Sequence, residues 1–117
     1  MLPNRMQLNR SVEEQLKQLK IKTGVTPNVS ARIAFFKSIE TDYRFDLDKE
    51  YKTDGSLVLD KITWLGKTQQ MTELLLKHNY PTLEGKALQQ AWASHVEHGI
   101  SSLRNLKSLA SFVEKLI

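Results

Sequence analysis

Apolar residues recur at different spacings along this chain, and each spacing predicts a different element. Asn4-Arg5-Met6-Gln7-Leu8-Asn9 alternates polar and apolar positions, the period of a half-buried strand. Met6 and Leu8 are expected to face a core, with Arg5, Gln7 and Asn9 on the other side. So short a strand is not stable alone. Nothing nearby in the sequence supplies a partner, so a second copy of it from another subunit is the simplest source. The period then becomes helical. Ser11 and Glu14 have the spacing of a capping box, and Val12, Leu16 and Leu19 form the inward stripe of a helix that runs to about Thr23. Gly24 stands where a left-handed residue ends a helix. Thr26 can cap the next helix, and Pro27 suits its first position, where no N–H is needed. That second helix, ending near Glu40, carries Val29, Ile33 and Phe36 on one stripe, widened by Phe35 and Ile39.

From Thr41 to about Ser56 the helical stripe disappears and charges are dense. Tyr43, Phe45 and Leu47 alternate with Asp42, Arg44, Asp46 and Asp48, and Asp54-Gly55 is a turn dipeptide ahead of Leu57-Val58-Leu59. A small hairpin and an ordered loop held down by its aromatics both fit. Ile62 through Leu65 are apolar and Gly66 punctuates. Thr68 to His78 reads as a helix with Met71, Leu74 and Leu75 inward, stopped by Asn79-Tyr80-Pro81. Thr82 can cap a further helix bearing Leu88, Ala91, Trp92 and Val96 and ending at Gly99. Ser101 or Ser102 starts a last helix, in which Leu103, Leu106, Leu109, Ala110, Val113 and Leu116 cover more than one face. A helix that apolar is expected to pack on other helices or across a subunit contact. The pattern therefore predicts a single, mainly α domain over residues 1–117, with strand-helix-turn-helix at 4–40, a connector at 41–60 and a helical part at 61–117.

Charge adds a direction to this outline. The formal net charge is +4 and the isoelectric point near 9.4, which favours an anionic partner. Residues 1–40 hold seven Lys/Arg against three Glu, whereas residues 41–60 hold three basic against six acidic residues. The basic excess thus coincides with the helix-turn-helix, as in a module that faces DNA, although a solvated helix face has the same signature. Hydrophobic residues make up 40% and charged residues 26%, ordinary for a globular domain. No apolar run approaches the roughly 20 residues that span a bilayer, and no signal-peptide pattern is present. With no cysteine, disulfides and thiol chemistry are excluded and a reducing cytoplasm is the expected location.

Candidates for chemistry are few. There is no P-loop, no dinucleotide-binding glycine turn and no nucleophile elbow. His95 and His98 share one helix side at i,i+3, and His78 would have to arrive from another helix to complete a metal site. Interaction with the open carbonyls at a helix C-terminus explains the pair more cheaply. Asp42, Asp46, Asp48, Glu50 and Asp54 invite a two-metal nuclease reading but sit on one connector rather than converging from several elements. Trp64 and Trp92 lie on apolar stripes, as core residues do. No cofactor or metal is expected. Arg5 and Gln7 are open to two readings: the wet face of an edge strand, or a ribbon in a major groove, where Arg reads guanine and Gln reads adenine. The start of the second helix offers N–H groups to a phosphate.

Two resemblances meet in these residues. The order strand, capped helix, glycine turn, helix over 4–40 resembles the ribbon-helix-helix class of DNA-binding dimers. Leu16-Lys17-Gln18-Leu19-Lys20-Ile21-Lys22-Thr23-Gly24-Val25-Thr26-Pro27-Asn28, followed by Ala31-Arg32-Ile33-Ala34, resembles the N-terminal signature of the DNA sulfur modification family DndE. His95-Val96-Glu97-His98-Gly99-Ile100 resembles its second marker. The resemblance implies a helical accessory of the machinery that replaces a non-bridging phosphate oxygen of DNA with sulfur. It further implies binding to nicked double-stranded DNA, a homotetramer, and other proteins of the sulfur-modification complex as partners. About 75 residues follow the ribbon-helix-helix-like segment, and packed over a ribbon they would displace the usual groove-reading geometry. On this reading the protein is a DNA-binding subunit and not an enzyme, with contacts from Arg5, Gln7, Arg10, Lys17, Lys20, Lys22, Arg32 and Lys37. Its rivals are a metal-dependent nickase using the 42–54 carboxylates or the histidines, and a protein scaffold whose basic face is incidental.

Overall fold

The computed structural model describes residues 1–103, 108, 113 and 114. Its elements are β1 (Arg5–Met6), α1 (Arg10–Thr23), α2 (Pro27–Ile39), β2 (Leu59–Asp60), α3 (Lys61–Leu65), a 3-10 turn (Gly66–Thr68), α4 (Gln69–Asn79) and α5 (Gly85–Ile100). The fold is mainly α, with a two-stranded antiparallel sheet as its only sheet among the described residues. The connector from 41 to 58 is a loop rather than a hairpin. No helix among the described residues is long and apolar enough to cross a membrane.

The expected strand exists, but its partner comes from the same chain. Arg5 pairs with Asp60 and Met6 with Leu59. The pairing continues irregularly on both sides: Lys61 donates its N–H to Asn4 O at 2.7 Å, Gly55 to Leu8 O at 2.8 Å, and Arg10 to Asp54 Oδ1 at 2.9 Å. The end of the acidic connector therefore satisfies the backbone that the sequence left unpaired, and no ribbon between subunits is required. Glu13 locks this arrangement. Its carboxylate, 3% exposed, accepts from Ser56 N at 2.9 Å and Leu57 N at 2.5 Å. The capping box does not form, because Asn9 caps α1 instead, accepting from Ser11 N.

Val12, Leu16 and Leu19 are buried as their spacing demands, and Gly24 ends α1 in the left-handed region at φ 79°. α2 departs from expectation. Its buried face is Ser30, Ala31, Ala34, Phe35, Ser38 and Ile39, while Val29, Ile33 and Phe36 are only half-buried. The small residues win because α2 lies directly on α5. A Cβ on Gly99 would stand 1.8 Å from Ala34 O, so only short side chains fit between the two backbones.

α4 is turned in the same way. Met71 and Leu74 are exposed, and Thr72, Glu73 and Leu76 face inward. The buried Glu73 carboxylate accepts from Leu2 N at 3.0 Å and lies 3.7 Å from Lys61 Nζ, which fixes the helix rotation against its apolar stripe. α5 starts at Gly85 rather than after a Thr82 cap. Trp64 and Trp92 are core residues in edge-to-face contact at 5.5 Å, with the Trp64 indole donating to Met6 O. The terminal apolar helix lies mostly outside the described residues, of which Ser101–Leu103 form a turn and Val113 and Glu114 are helical.

Candidate nucleic-acid interface

The α1–turn–α2 corner gathers the basic residues that the sequence singled out. Lys17, Lys20 and Ile21 on α1 and Thr26, Pro27 and Asn28 at the start of α2 line one groove, closed on its far side by Leu57 and Leu59. Gly24 makes this possible, since its left-handed backbone returns the chain in a single step. Thr26 forms no side-chain bond to the helix it precedes. Among the described residues the N–H groups of Asn28 and Val29 therefore have no partner, and they add the positive end of the helix dipole to the lysines.

The lysines differ in freedom. Lys17, itself exposed, lies 3.9 Å from the buried Glu13 carboxylate and 3.7 Å from the exposed Glu14, and the latter pair screens it only weakly. Lys20 and Lys22 are exposed in the last turn of α1 and take no ion-pair partner among the described residues. Arg10 is exposed on the same helix face as Lys17, seven residues on. Its backbone N–H chiefly, and its guanidinium charge to a smaller degree, hold the Asp54 carboxyl below the usual carboxylate range.

Three of the other predicted contacts, Arg5, Gln7 and Arg32, are committed within the chain. Arg5 donates to Asp60 Oδ1 at 2.8 Å and Val58 O at 3.3 Å. Gln7 donates to Gly55 O at 2.9 Å. Arg32 caps the end of α3, with Nε on Trp64 O at 2.7 Å and Nη2 on Thr63 O at 3.0 Å. Lys37 lies on the opposite side of α2, in a separate groove.

The histidines form a different assembly from either one expected. Ser38 Oγ stands 2.8 Å from His95 Nδ1 and 2.9 Å from His98 Nδ1, and His95 Nε2 is 2.6 Å from Tyr80 Oη. Tyr43 stacks on His98 at 4.3 Å, and the Phe45 N–H donates to Tyr80. Here the imidazoles tie the 41–45 segment to α2 and α5 instead of capping carbonyls. Burial, aided by the charges of Arg44 and His98, pushes the His95 imidazole down to about 4, so it is neutral near pH 7. Among the described residues no group of three or more His, Asp or Glu side chains is placed to hold a metal ion. Ser38, Tyr80 and Glu13 carried no sequence signal, because their partners come from 15 to 60 residues away.

Comparison with known proteins follows the same direction. The family model described as DNA sulphur modification protein DndE matches residues 5–111. No curated protein matches the chain. Among solved structures, the crystal structure of DndE from Escherichia coli B7A, involved in DNA phosphorothioation modification, is 60% identical, with a TM-score of 0.85 over 88% of this chain and 98% of that one. A DndE mutant carrying lysine at two glycine positions, also involved in DNA phosphorothioation, is 60% identical, with a TM-score of 0.83 over 88% of this chain and 99% of that one.

Proposed function

The chain belongs to the DndE family of DNA sulphur modification proteins, and on that premise we propose that it is the DNA-binding, non-enzymatic accessory of the phosphorothioation machinery. It holds duplex DNA by the phosphate backbone, prefers a nicked duplex, and works in the cytoplasm as a homo-oligomer, a tetramer by family resemblance, alongside the other proteins of the complex. The observation that carries this reading is that Lys17 and Lys20 line the same groove as the uncapped start of α2. Cations beside the unpaired N–H groups of a helix start suit a phosphate. Lys22 and Arg10 extend the basic surface along the exposed face of α1, and Lys37 contributes from the neighbouring groove.

Base readout has little support, because Arg5 and Gln7 are spent on Asp60 and Gly55. Contacts of this kind position DNA without reading its sequence. Binding measured on intact, nicked and single-stranded DNA of one sequence tests the proposal. Tightest binding to the nicked duplex is expected. Equal affinity for all three, or none for duplex, would refute it.

A further inference from the structure

The histidine assembly is a continuous line of hydrogen-bonding groups, and the line has a direction. The Phe45 nitrogen lies 2.7 Å from Tyr80 Oη, which lies 2.6 Å from His95 Nε2. On the other side of that ring, His95 Nδ1 is 2.8 Å from Ser38 Oγ, which is 2.9 Å from His98 Nδ1. Ser38, Tyr80 and His95 are buried, whereas His98 reaches the surface. A backbone N–H can only donate, so Tyr80 Oη accepts from Phe45. Among the described residues the Tyr80 hydroxyl hydrogen has one remaining acceptor, His95 Nε2, and a buried donor left unpaired is costly. His95, neutral near pH 7, therefore carries its proton on Nδ1 and donates it to Ser38 Oγ. The Ser38 hydrogen in turn goes to His98 Nδ1.

We infer that this line is a pH-sensitive relay, in which charging His98 at the surface reverses every hydrogen bond from Ser38 to Tyr80. A charged His98 bears hydrogen on both ring nitrogens, so its Nδ1 becomes a donor. Ser38 then turns its hydrogen to His95 Nδ1, and His95, still neutral, holds its proton on Nε2. Tyr80 Oη becomes the acceptor of both His95 and Phe45, and its own hydrogen loses its partner. The assembly gains one proton, which rests on His98, while His95 only changes tautomer. The 41–45 segment feels the change at two points, since Tyr43 stacks on His98 at 4.3 Å and Phe45 is held by Tyr80. Around the imidazoles the connector contributes Arg44 and Tyr43, and the end of α4 contributes Tyr80. Lys37 and Glu40 of α2 line a separate groove, and Glu97 of α5 lies beside Tyr51. Among the described residues no carboxylate pairs with either imidazole, which leaves His98 as the group that receives the proton.

Nitrogen-15 NMR of the imidazoles reads each tautomer directly. At about pH 8, above the ordinary histidine range, His95 should be protonated on Nδ1 and His98 on Nε2. As pH falls and His98 takes its second proton, His95 should switch to the Nε2-protonated form while remaining neutral. The Phe45 amide proton should shift with the same midpoint. Ser38→Ala removes the middle link, so His98 should still charge while His95 and Phe45 no longer respond. A His95 already protonated on Nε2 at the higher pH, a tautomer that ignores the charging of His98, or an equal response in Ser38→Ala would overturn the relay. Should Ser38→Ala fail to fold, the tautomers of the native protein decide alone.

Discussion

Ala34 and Gly99 bring two helix backbones into direct contact: a Cβ on Gly99 would lie 1.8 Å from the Ala34 carbonyl oxygen and 3.0 Å from its Cα. These neighbours are backbone atoms, which cannot rotate away as a side-chain tip can. Gly99→Ala should therefore force α2 and α5 apart, at a cost of about 3 kcal/mol or more, beyond ordinary overpacking. Chemical denaturation measures it. The companion change Gly85→Ala, at a position with open space but a φ of 56°, should cost only the smaller backbone strain of about 1 kcal/mol.

Glu13 holds the connector against α1. Removing its carboxylate in Glu13→Ala leaves the Ser56 and Leu57 N–H groups, exposed and half-buried respectively, without their acceptor, for a loss of about 1–3 kcal/mol. Glu13→Gln keeps one acceptor oxygen and should lose less than half as much. Hydrogen exchange at Ser56 and Leu57 should rise in both variants, most in Glu13→Ala.

How far the fold was legible depends on how local its causes are. The α1–α2 corner could be read from Gly24 and Pro27 because each acts through its own backbone, whereas the side-chain cap expected of Thr26 does not form. The buried faces of α2 and α4 could not. Hydrophobicity favoured Val29, Ile33 and Phe36, whereas closeness to Gly99 demanded Ala31, Ala34 and Ser38. In α4, Met71 and Leu74 yielded to Glu73, whose partners Leu2 and Lys61 belong to other elements. The same distinction divides the candidate site. Lys17, Lys20 and Lys22 were visible in the charge distribution, while the commitments of Arg5, Gln7 and Arg32 rest on carbonyls and carboxylates that only tertiary structure brings near.

His95 makes stability pH-dependent in a defined window. Its imidazole is held down to about 4 in the folded chain against an ordinary value of 6.5, so between those values the unfolded state binds the extra proton. The contribution is complete above pH 6.5 and is lost as pH falls towards 4, amounting to about 3 kcal/mol at most. Denaturation of the native protein and His95→Gln at several pH values should show the two curves converging over that interval. Parallel curves would contradict the buried, neutral state of His95.

The carboxylates of the connector are not expected to cut DNA. Asp42, Asp46, Asp48 and Glu50 are exposed on one loop, and His95 is fully occupied by Ser38 and Tyr80. Supercoiled plasmid incubated with the pure protein and magnesium or manganese should remain supercoiled. Conversion to open circles that Asp46→Ala abolishes would make the protein a nickase.

The most direct test of the DNA-binding claim is the salt dependence of affinity for a nicked duplex, native protein against the double variant Lys17→Ala/Lys20→Ala. Each phosphate neutralised releases condensed counterions and contributes about −0.9 to the slope of log affinity against log salt on duplex DNA. Loss of both lysines should flatten that slope by about 1–2 for each subunit in contact and weaken duplexes of different sequence alike. An unchanged affinity and an unchanged slope would contradict the account and remove the α1–α2 corner as the DNA-binding surface.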